Sequence, residues 1–271
     1  MKRIGKLLEP ALERLKTDYR CSLVRHADET GWRTAGGNGW SWYFGSEKVS
    51  LHLFRQTRSA SVAAEVMGKE KLAGVLVVDR YGGDNRVPCA LQYCYAHLWR
   101  EMKSLENEFP DNQEISNYTC QMKLSLSDAM QLRKRALSEA EYLQEAAKIR
   151  QQIAGLSDRQ AVHPAIRRWQ DFFIEKAARL YQWCESSAIP AENNYAEREI
   201  RKVVIARKMS CGSQSIEGAK TREIWTSILQ TLKKREPNPR DKLAQALNKI
   251  SQTKDPDIAE ELFDSPPPEL D

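Results

Sequence analysis

The sequence predicts an α/β protein, with its strands in the first hundred residues and mainly helices after them. Three observations predict this class. Apolar residues alternate with polar ones in much of the chain before residue 95, as they do in half-buried strands. Beyond about residue 100 they recur every three or four positions, which is typical of helices. At 271 residues, 41% of them hydrophobic, the chain is long enough to bury a substantial core.

Five strands and a helix are predicted in the first part of the chain. The strand segments are YRCSLVRHADE, GWSWYFGS, KVSLHLFRQ, GVLVV and CALQYCYA, at residues 19–29, 39–46, 48–56, 74–78 and 89–96. GGNG and GSEK are predicted turns between the first three. Residues 59–68 are predicted as a helix capped by Ser59 and ended by Gly68. A loop through RYGGDNRVP precedes the fifth strand, which leads into a helix.

Long helices are predicted for the second part of the chain. One helix covers residues 125–155, with Ser125 or Ser127 as its cap and Gly155 at its end. Pro164 suits the first turn of another. The spacing after it predicts a core-facing stripe, formed by Ile166, Trp169, Phe173, Ala177, Leu180 and Cys184.

The composition indicates a soluble protein, and we expect a cytoplasmic one without a membrane partner. No run approaches the roughly 18 apolar residues that a membrane span needs. The N-terminal segment MKRIGKLLEPALERLKTDYR lacks the uninterrupted apolar stretch of a secretory signal. Six cysteines are scattered over the chain, so we expect free thiols rather than a disulfide framework.

The net charge of +5 is unevenly distributed. Residues 255–271 contain seven acids and no Lys or Arg, so the rest of the chain carries +12. A body this basic attracts polyanions such as DNA, although a solvated surface rich in salt bridges has the same composition. The tail ends in SPPPELD, and we predict disorder from residue 251 onwards.

Two carboxylates follow apolar strand segments. Asp28 is predicted at the end of the first strand and Asp79 at the end of the fourth. In a β-β-β-α-β order these strands are natural parallel neighbours, joined by a right-handed crossover. Two adjacent carboxylates repel each other, so this arrangement favours a bound divalent metal.

The helix predicted for residues 191–208 offers a third acid, Glu197, for an oxygen-rich site that suits Mg²⁺ or Mn²⁺. At helical spacing, Asn193, Asn194, Glu197 and Arg201 share one face. The same face is typical of an exposed helix with a Glu197–Arg201 ion pair. The three acids favour a metal site only in combination.

Four segments resemble the insertion-sequence 66 family of bacterial transposases in order and character. They are HADETGWR, GVLVVDRY, CYAHLWRE and NNYAEREIRKVVIARK. GAKTREIWTSILQTLKK, part of a predicted last helix at residues 217–234, also resembles the family's segment after its catalytic helix. The resemblance covers roughly residues 20–245.

This resemblance implies a ribonuclease H-like mixed sheet flanked by helices, with a helical insertion before the helix that carries the third acid. It implies a DDE triad of Asp28, Asp79 and Glu197 that holds two Mg²⁺ or Mn²⁺ ions for DNA cleavage and strand transfer. The implied organisation is a helical lead-in at 1–20, the core at 21–99, the insertion at 100–189, the catalytic helix and C-terminal core helices at 190–250, and the acidic tail at 251–271.

Further polar residues flank the implied triad. Cys94 and His97 match a Cys-x-x-His signature that follows the second aspartate in several DDE groups, and with Arg100 they resemble active-site neighbours or DNA contacts. A packed cysteine and a hydrogen-bonded histidine fit the same pattern, and too few ligands are present for structural zinc. The other candidates for DNA contact, which are equally typical of a solvated helix face, are Asn193, Asn194, Arg198, Arg201, Lys202, Arg207 and Lys208.

Other residues near the first aspartate have competing interpretations. His26 shares its strand face, and we expect it to be structural, whereas Glu29 is expected on the opposite face. Trp32, Trp40 and Trp42 are able to stack on unpaired bases, but tryptophans in a hairpin are more often core residues.

The sequence also departs from the family pattern. Arg80 stands where the family usually has glycine, which adds charge beside the second aspartate. RKMSCGSQS is less apolar than the usual run after the catalytic helix. Members usually carry N-terminal coiled-coil, zinc-binding and helix-turn-helix regions, whereas about twenty residues precede the first strand here. We therefore expect a fragment, a truncated copy or a chain that relies on a partner for DNA specificity.

The sequence thus predicts a metal-dependent transposase that cuts transposon ends and joins them to target DNA. We expect a nucleoid-associated homo-oligomer, with accessory proteins of the same element as further partners. Three alternatives stay open: a nuclease or resolvase of the same fold, a truncated or domesticated transposase that only binds DNA or a partner, and a hydrolase with a carboxylate pair.

Overall fold

The structure, a computed structural model, describes residues 2–80, 87–158, 160–252 and 257–263. Within these ranges it is an α/β fold with strands of mixed direction flanked by helices. The strands are β1 (Val24–Gly31), β2 (Trp40–Gly45), β3 (Ser50–Arg55), β4 (Val75–Val78) and β5 (Ala90–Tyr93). The helices are α1 (Lys2–Leu7), α2 (Glu9–Arg20), α3 (Ala60–Met67), α4 (Tyr95–Glu108), α5 (Gln113–Leu132), α6 (Glu139–Ser157), α7 (Pro164–Glu175), α8 (Ala177–Leu180), α9 (Asn194–Ser210), α10 (Ile216–Arg235), α11 (Pro239–Gln252) and α12 (Ile258–Phe263).

The chain divides into two compact units. Within the described ranges, the first comprises residues 2–74, 87–89, 194–252 and 257–263, and the second comprises residues 75–80, 90–158 and 160–193. Strands β1 to β3 belong to the first unit with helices α1 to α3 and α9 to α12. Strands β4 and β5 belong to the second unit with helices α4 to α8.

The first unit is built on an antiparallel sheet in the order β3-β2-β1. Between β2 and β3 the chain reverses where the Ser46 N–H donates to the Val49 carbonyl at 3.0 Å. Between β1 and β2, Thr34 and Gly37 exchange two backbone hydrogen bonds of 3.0 Å. Gly36 in that turn has a φ of +79°, a left-handed conformation that favours glycine. Both turns agree with the GSEK and GGNG predictions.

Side chains of α10 satisfy the outer backbone groups of β3, which is the edge strand of this sheet. Hydrogen bonds of 3.0, 2.9 and 3.0 Å run from the backbone N–H groups of Phe54, His52 and Ser50 to the side chains of Glu223, Ser227 and Thr231. The two hydroxyls also donate to carbonyls of the same strand, at 3.3 and 3.2 Å. Because the edge is covered in this way, it is not available for pairing with another strand.

The second unit joins the parallel pair β4–β5 to helices. All four residues of β4 are buried, as expected for a parallel strand covered on both faces. The segment after α8 is fixed by two buried hydroxyls, because Tyr95 donates to the Leu180 carbonyl at 2.7 Å and Tyr142 to the Trp183 carbonyl at 3.0 Å. The predicted strands and the helix after the fifth are therefore present.

The prediction of one helix over residues 125–155 is wrong. Helix α5 ends at Leu132 and α6 begins at Glu139. The Ser138 side chain and the Glu141 carboxylate each accept a hydrogen bond from the other residue's backbone N–H, which forms a capping box and starts a new helix. The residues between the two helices are good helix formers, so propensity alone did not reveal the break.

Two further predictions about the strands and the stripe need correction. The first strand does not begin at Tyr19, which lies in α2, and it does not end at Asp28. Strand β1 continues to Gly31 because its pairing with β2 extends to that residue, which places Asp28 inside the strand. The stripe after Pro164 is not one helix, because α7 ends at Glu175 and α8 is a separate short helix.

Part of the acidic tail is ordered, which contradicts the prediction of disorder from residue 251. Helix α12 buries Ile258, Leu262 and Phe263, and the Arg235 guanidinium lies 5.0 Å from the centre of the Phe263 ring. Apolar burial stabilises this short segment although its charge is acidic. Residues 253–256 and 264–271, and residues 81–86 of the predicted loop, lie outside the described ranges.

Candidate active site

Asp28 lies in the middle of β1 and is half-buried. Its Oδ1 accepts a hydrogen bond from the backbone N–H of Glu29 at 2.8 Å. Since side chains alternate along a strand, His26 and Thr30 share the face of Asp28, and Glu29 points to the opposite face. There the buried Glu29 carboxylate pairs with Arg58, which engages it in the fold.

Helix α9 packs along the face of β1 that carries Asp28. At the start of the helix, the Tyr195 ring lies 4.7 Å from the ring of His26. At its end, Arg207 donates to the Thr30 hydroxyl at 3.4 Å and to the Gly31 carbonyl. Asp28 lies between these contacts in the strand, so its side chain is on the face that α9 covers.

Glu197 lies in the first turn of α9 and is half-buried. Ala196 and Ile200 of the same helix pack on Tyr43 of β2. Tyr43 is the residue directly opposite Asp28 in the β1–β2 pairing, and directly opposite residues share a sheet face. The first unit therefore brings the elements of two candidate acids, β1 and α9, into contact.

A partly buried polar cluster fixes the start of α9. Lys234 of α10 donates to the Tyr43 hydroxyl at 3.2 Å and to the Ser46 carbonyl at 2.9 Å, and its ammonium lies 5.0 Å from the Tyr195 ring centre. The Tyr195 hydroxyl also donates to the Ser46 carbonyl, at 2.5 Å. Burial raises the pKa of Tyr195 to about 12 and that of Tyr43 well above its usual value, so both phenols stay neutral and act structurally at neutral pH. The sequence analysis missed this cluster.

Asp79 follows β4 directly, as predicted, and belongs to the second unit. Beside the strand end, the Cys94 N–H donates to the Val78 carbonyl at 2.8 Å. Cys94 is buried, and its sulfur accepts a hydrogen bond from the Asn193 N–H at 3.1 Å. The placement of Asp79 relative to Asp28 and Glu197, which lie in the other unit, stays a prediction.

The first two turns of α4 carry His97 and Arg100. His97 is half-buried, and Arg100 is exposed, with its Nε donating to the Ala96 carbonyl of its own helix at 3.2 Å. Cys94 is the residue that immediately precedes this helix. Cys94 and His97 therefore lie at the carboxyl end of β5, and Arg100 lies about one turn further along α4 in the same unit.

The Arg80 side chain contacts residues of α4 and α7. It pairs with Glu101, and its guanidinium lies 5.1 Å from the Trp169 ring centre and 4.7 Å from that of Phe172. Its charge is thus compensated by a carboxylate. Trp169, which the predicted stripe after Pro164 places in the core, is half-buried and contacts Arg80. No local sequence signal connects Arg80 with residues some ninety positions later.

The basic residues of α9 fall into two groups. Arg198, Arg201, Lys202 and Lys208 are exposed, and Lys202 pairs with Glu199 at 2.7 Å. Arg207 differs from them because its side chain binds the end of β1. Asn193 is buried before the helix starts, and Asn194 is its first residue. The predicted DNA-contacting set therefore contains residues that contribute to the fold.

The three tryptophans near β1 are not an exposed stacking surface. Trp32 and Trp42 are each 1% exposed, and Trp32 packs with Phe54 and Val203. Trp40 is half-buried under the guanidinium of Arg58, 4.8 Å from its ring centre. Trp32 and Trp42 are therefore core residues.

The chain belongs to the IS66 family of transposases. The model of this family, described as "Transposase IS66 family", matches residues 1–221, a range that contains all three candidate acids. A similar protein is "Uncharacterized protein y4qI" of Sinorhizobium fredii (strain NBRC 101917 / NGR234), with 25% identity over 281 residues, 91% of this chain and 50% of that protein. The chain thus spans about half the length of this relative. No solved structure matches this chain.

Within the described ranges, no helix combines the length and the apolar character that a membrane crossing needs.

Proposed function

We propose that this protein is a DDE transposase that cuts DNA at transposon ends and joins the freed 3′ ends to target DNA. The observation that carries the proposal is the family match over residues 1–221, because it includes Asp28, Asp79 and Glu197. The packing of α9 on the strand face that carries Asp28 supports pairing Asp28 with Glu197. The position of Asp79 directly after a buried parallel strand is a typical one for a catalytic group.

The three candidate residues suit a divalent cation chemically. Each is a carboxylate, the ligand type that Mg²⁺ and Mn²⁺ prefer, and each is half-buried rather than sealed in the core. Asp28 has one oxygen on a backbone N–H, which orients the carboxylate. In the proposed site, a pair of bound ions would stabilise charge on the attacking and leaving oxygens of the phosphoryl transfer.

The protein's own residues then hold the substrate and the carboxylates in place. Exposed Arg198, Arg201, Lys202 and Lys208 would neutralise DNA phosphates near Glu197. Arg207 instead positions α9 on β1, so we assign it to support of Glu197. Tyr43 of β2 and Tyr195 of α9 make hydrogen bonds with Lys234 and with the Ser46 carbonyl, so we assign them to support of α9 as well.

Further parts of the proposal concern partners. DNA is the expected partner of a transposase of this family, in the form of element ends and target. We propose that the protein acts as a homo-oligomer on paired ends in the nucleoid, with accessory proteins of the same element. Sedimentation of the protein with and without a DNA fragment from an element end measures the oligomeric state.

The test is a cleavage and strand-transfer assay with an element end as substrate and Mg²⁺ or Mn²⁺ present. Asp28→Asn, Asp79→Asn and Glu197→Gln each remove a carboxylate with little change in shape, and each should lower product by at least about 100-fold. Glu199→Gln is the matched control, because Glu199 lies on the same helix and pairs with Lys202.

Each outcome of this assay has a distinct meaning. Cleaved DNA without joined product would indicate a nuclease. Product that survives all three acid substitutions, or equal loss in Glu199→Gln, contradicts the assignment of the triad.

A further inference from the structure

A cavity of about 440 Å³ lies in the second unit, beside the residue that follows Asp79. Its walls come from α4, from α7 and from Arg80. Trp169 and Phe172 form its aromatic part, with ring centres 5.4 Å apart and planes at 78°. The Arg80 guanidinium lies close to both rings. The cavity therefore presents π faces and a planar cation within one small space.

Two buried polar atoms of the wall residues have no hydrogen-bond partner in the part of the chain that the structure describes. These atoms are the Nε of Arg80 and the Oε2 of Glu101. The ion pair between the two residues uses their other atoms, Nη2 and Oε1. One donor and one acceptor are thus left over on neighbouring side chains. Both atoms are buried, so a ligand in the cavity does not reach them and meets the rings and the face of the guanidinium instead.

We propose that this cavity binds one unpaired nucleobase of the DNA that is processed next to Asp79. The inference rests on the proposed function for the presence of DNA there. Aromatic rings and guanidinium planes stack on every kind of base. Exposed Arg168 on the wall attracts the adjoining phosphate.

The size of the cavity determines which form of DNA it accepts. A cavity of this volume is at the lower end of the range for small-molecule sites. A paired base remains stacked in the duplex with its faces covered, so it cannot reach the rings of Trp169 and Phe172. Only a base that is unpaired, or turned out of the duplex, enters. The site therefore selects distorted or single-stranded DNA beside the cleavage position.

The test uses the full chain in metal-free buffer and two duplexes of the same sequence. One duplex carries a single unpaired 2-aminopurine and the other carries it paired. The protein should bind the unpaired probe more tightly and quench its fluorescence by stacking. Trp169→Ala should weaken binding of the unpaired probe about tenfold and leave the paired probe unchanged, and Trp169→Phe should retain most of the preference.

Trp40→Ala is the matched control, because Trp40 also lies under an arginine, Arg58, but in the first unit. Its substitution should not change the preference. Equal affinity of the unaltered protein for both probes, without quenching, overturns the inference and does not depend on how any variant folds. Loss of the preference in Trp40→Ala but not in Trp169→Ala also overturns it.

The two proposals fail differently. Metal-dependent cleavage of DNA together with equal binding of both probes leaves the transposase proposal intact and rejects the nucleobase site. Absence of any DNA binding rejects both.

Discussion

Replacing Ser227 with alanine tests how α10 holds the sheet that carries Asp28. The Ser227 hydroxyl accepts a hydrogen bond from the His52 N–H at 2.9 Å and donates to the His52 carbonyl at 3.3 Å. Ser227 is 0% exposed, so water does not replace the lost hydroxyl. In the variant, the backbone N–H and carbonyl of His52 in β3 lose these hydrogen bonds.

The expected cost follows from these two contacts. A net contribution of about 1 kcal/mol for each hydrogen bond, with the added penalty of leaving buried backbone groups unpaired, gives a loss of about 2–4 kcal/mol. Urea unfolding followed by circular dichroism measures the free energy of unfolding. Hydrogen exchange of the His52 amide gives a local readout, because that amide should exchange faster in the variant.

Thr221→Ala on the same helix is the control. The Thr221 hydroxyl donates to the Glu217 carbonyl of its own helix, and its loss should change stability by less than about 0.5 kcal/mol. Equal losses in Ser227→Ala and Thr221→Ala, or an unchanged exchange rate at His52, would refute the assignment of α10 as the cover of this edge.

Two further predictions concern titration and capping. Burial, with smaller contributions from Lys234 and Lys202, lowers the pKa of His52 to about 3, so its stabilising contribution is complete above pH 6.5 and is lost progressively as pH falls from 6.5 towards 3. His52→Gln should reduce the change in the free energy of unfolding between pH 6 and 4 by about 1.4 kcal/mol per pH unit. Urea unfolding at several pH values measures this change, and the same dependence on pH in both proteins would contradict the prediction. Ser138→Ala removes the capping box of α6 and should lower stability by about 1 kcal/mol, whereas Ser138→Asp should retain most of it; equal melting temperatures of Ser138→Ala and the unaltered protein would contradict this role.

Much of the local structure was predictable from periodicity and end signals. The alternation in β2 and β3 and the helical spacing in α9 and α10 are strong local patterns, and each element appears within a few residues of its predicted position. The break before α6 was missed although its signal, Ser138 followed by Glu141, is present in the sequence. The residues before this cap are good helix formers, which conceals the break.

The remaining differences arise from tertiary contacts. Asp28 lies inside β1 because pairing with β2 extends the strand, and nothing in the segment HADETG indicates that length. The aromatic partners of Arg80 are some ninety residues away in sequence, so local reasoning treated Arg80 only as an additional charge. Short α12 is ordered by burial of its apolar residues, which an average over an acidic tail conceals. Contacts between segments far apart in sequence therefore determine the length of β1, the partners of Arg80 and the order of α12.

The most direct test of the proposed site is diffraction from crystals soaked in Mn²⁺, with anomalous maps calculated at the manganese edge. We expect anomalous density with oxygens of Asp28, Asp79 and Glu197 about 2 Å from the ion, and no such density in crystals of Asp28→Asn. The soak should be repeated with an element end bound, so that a site completed by DNA is also detected. Carboxylates that stay far apart in both crystals, or density elsewhere in the protein, would contradict the assignment of these three acids as the metal-binding triad.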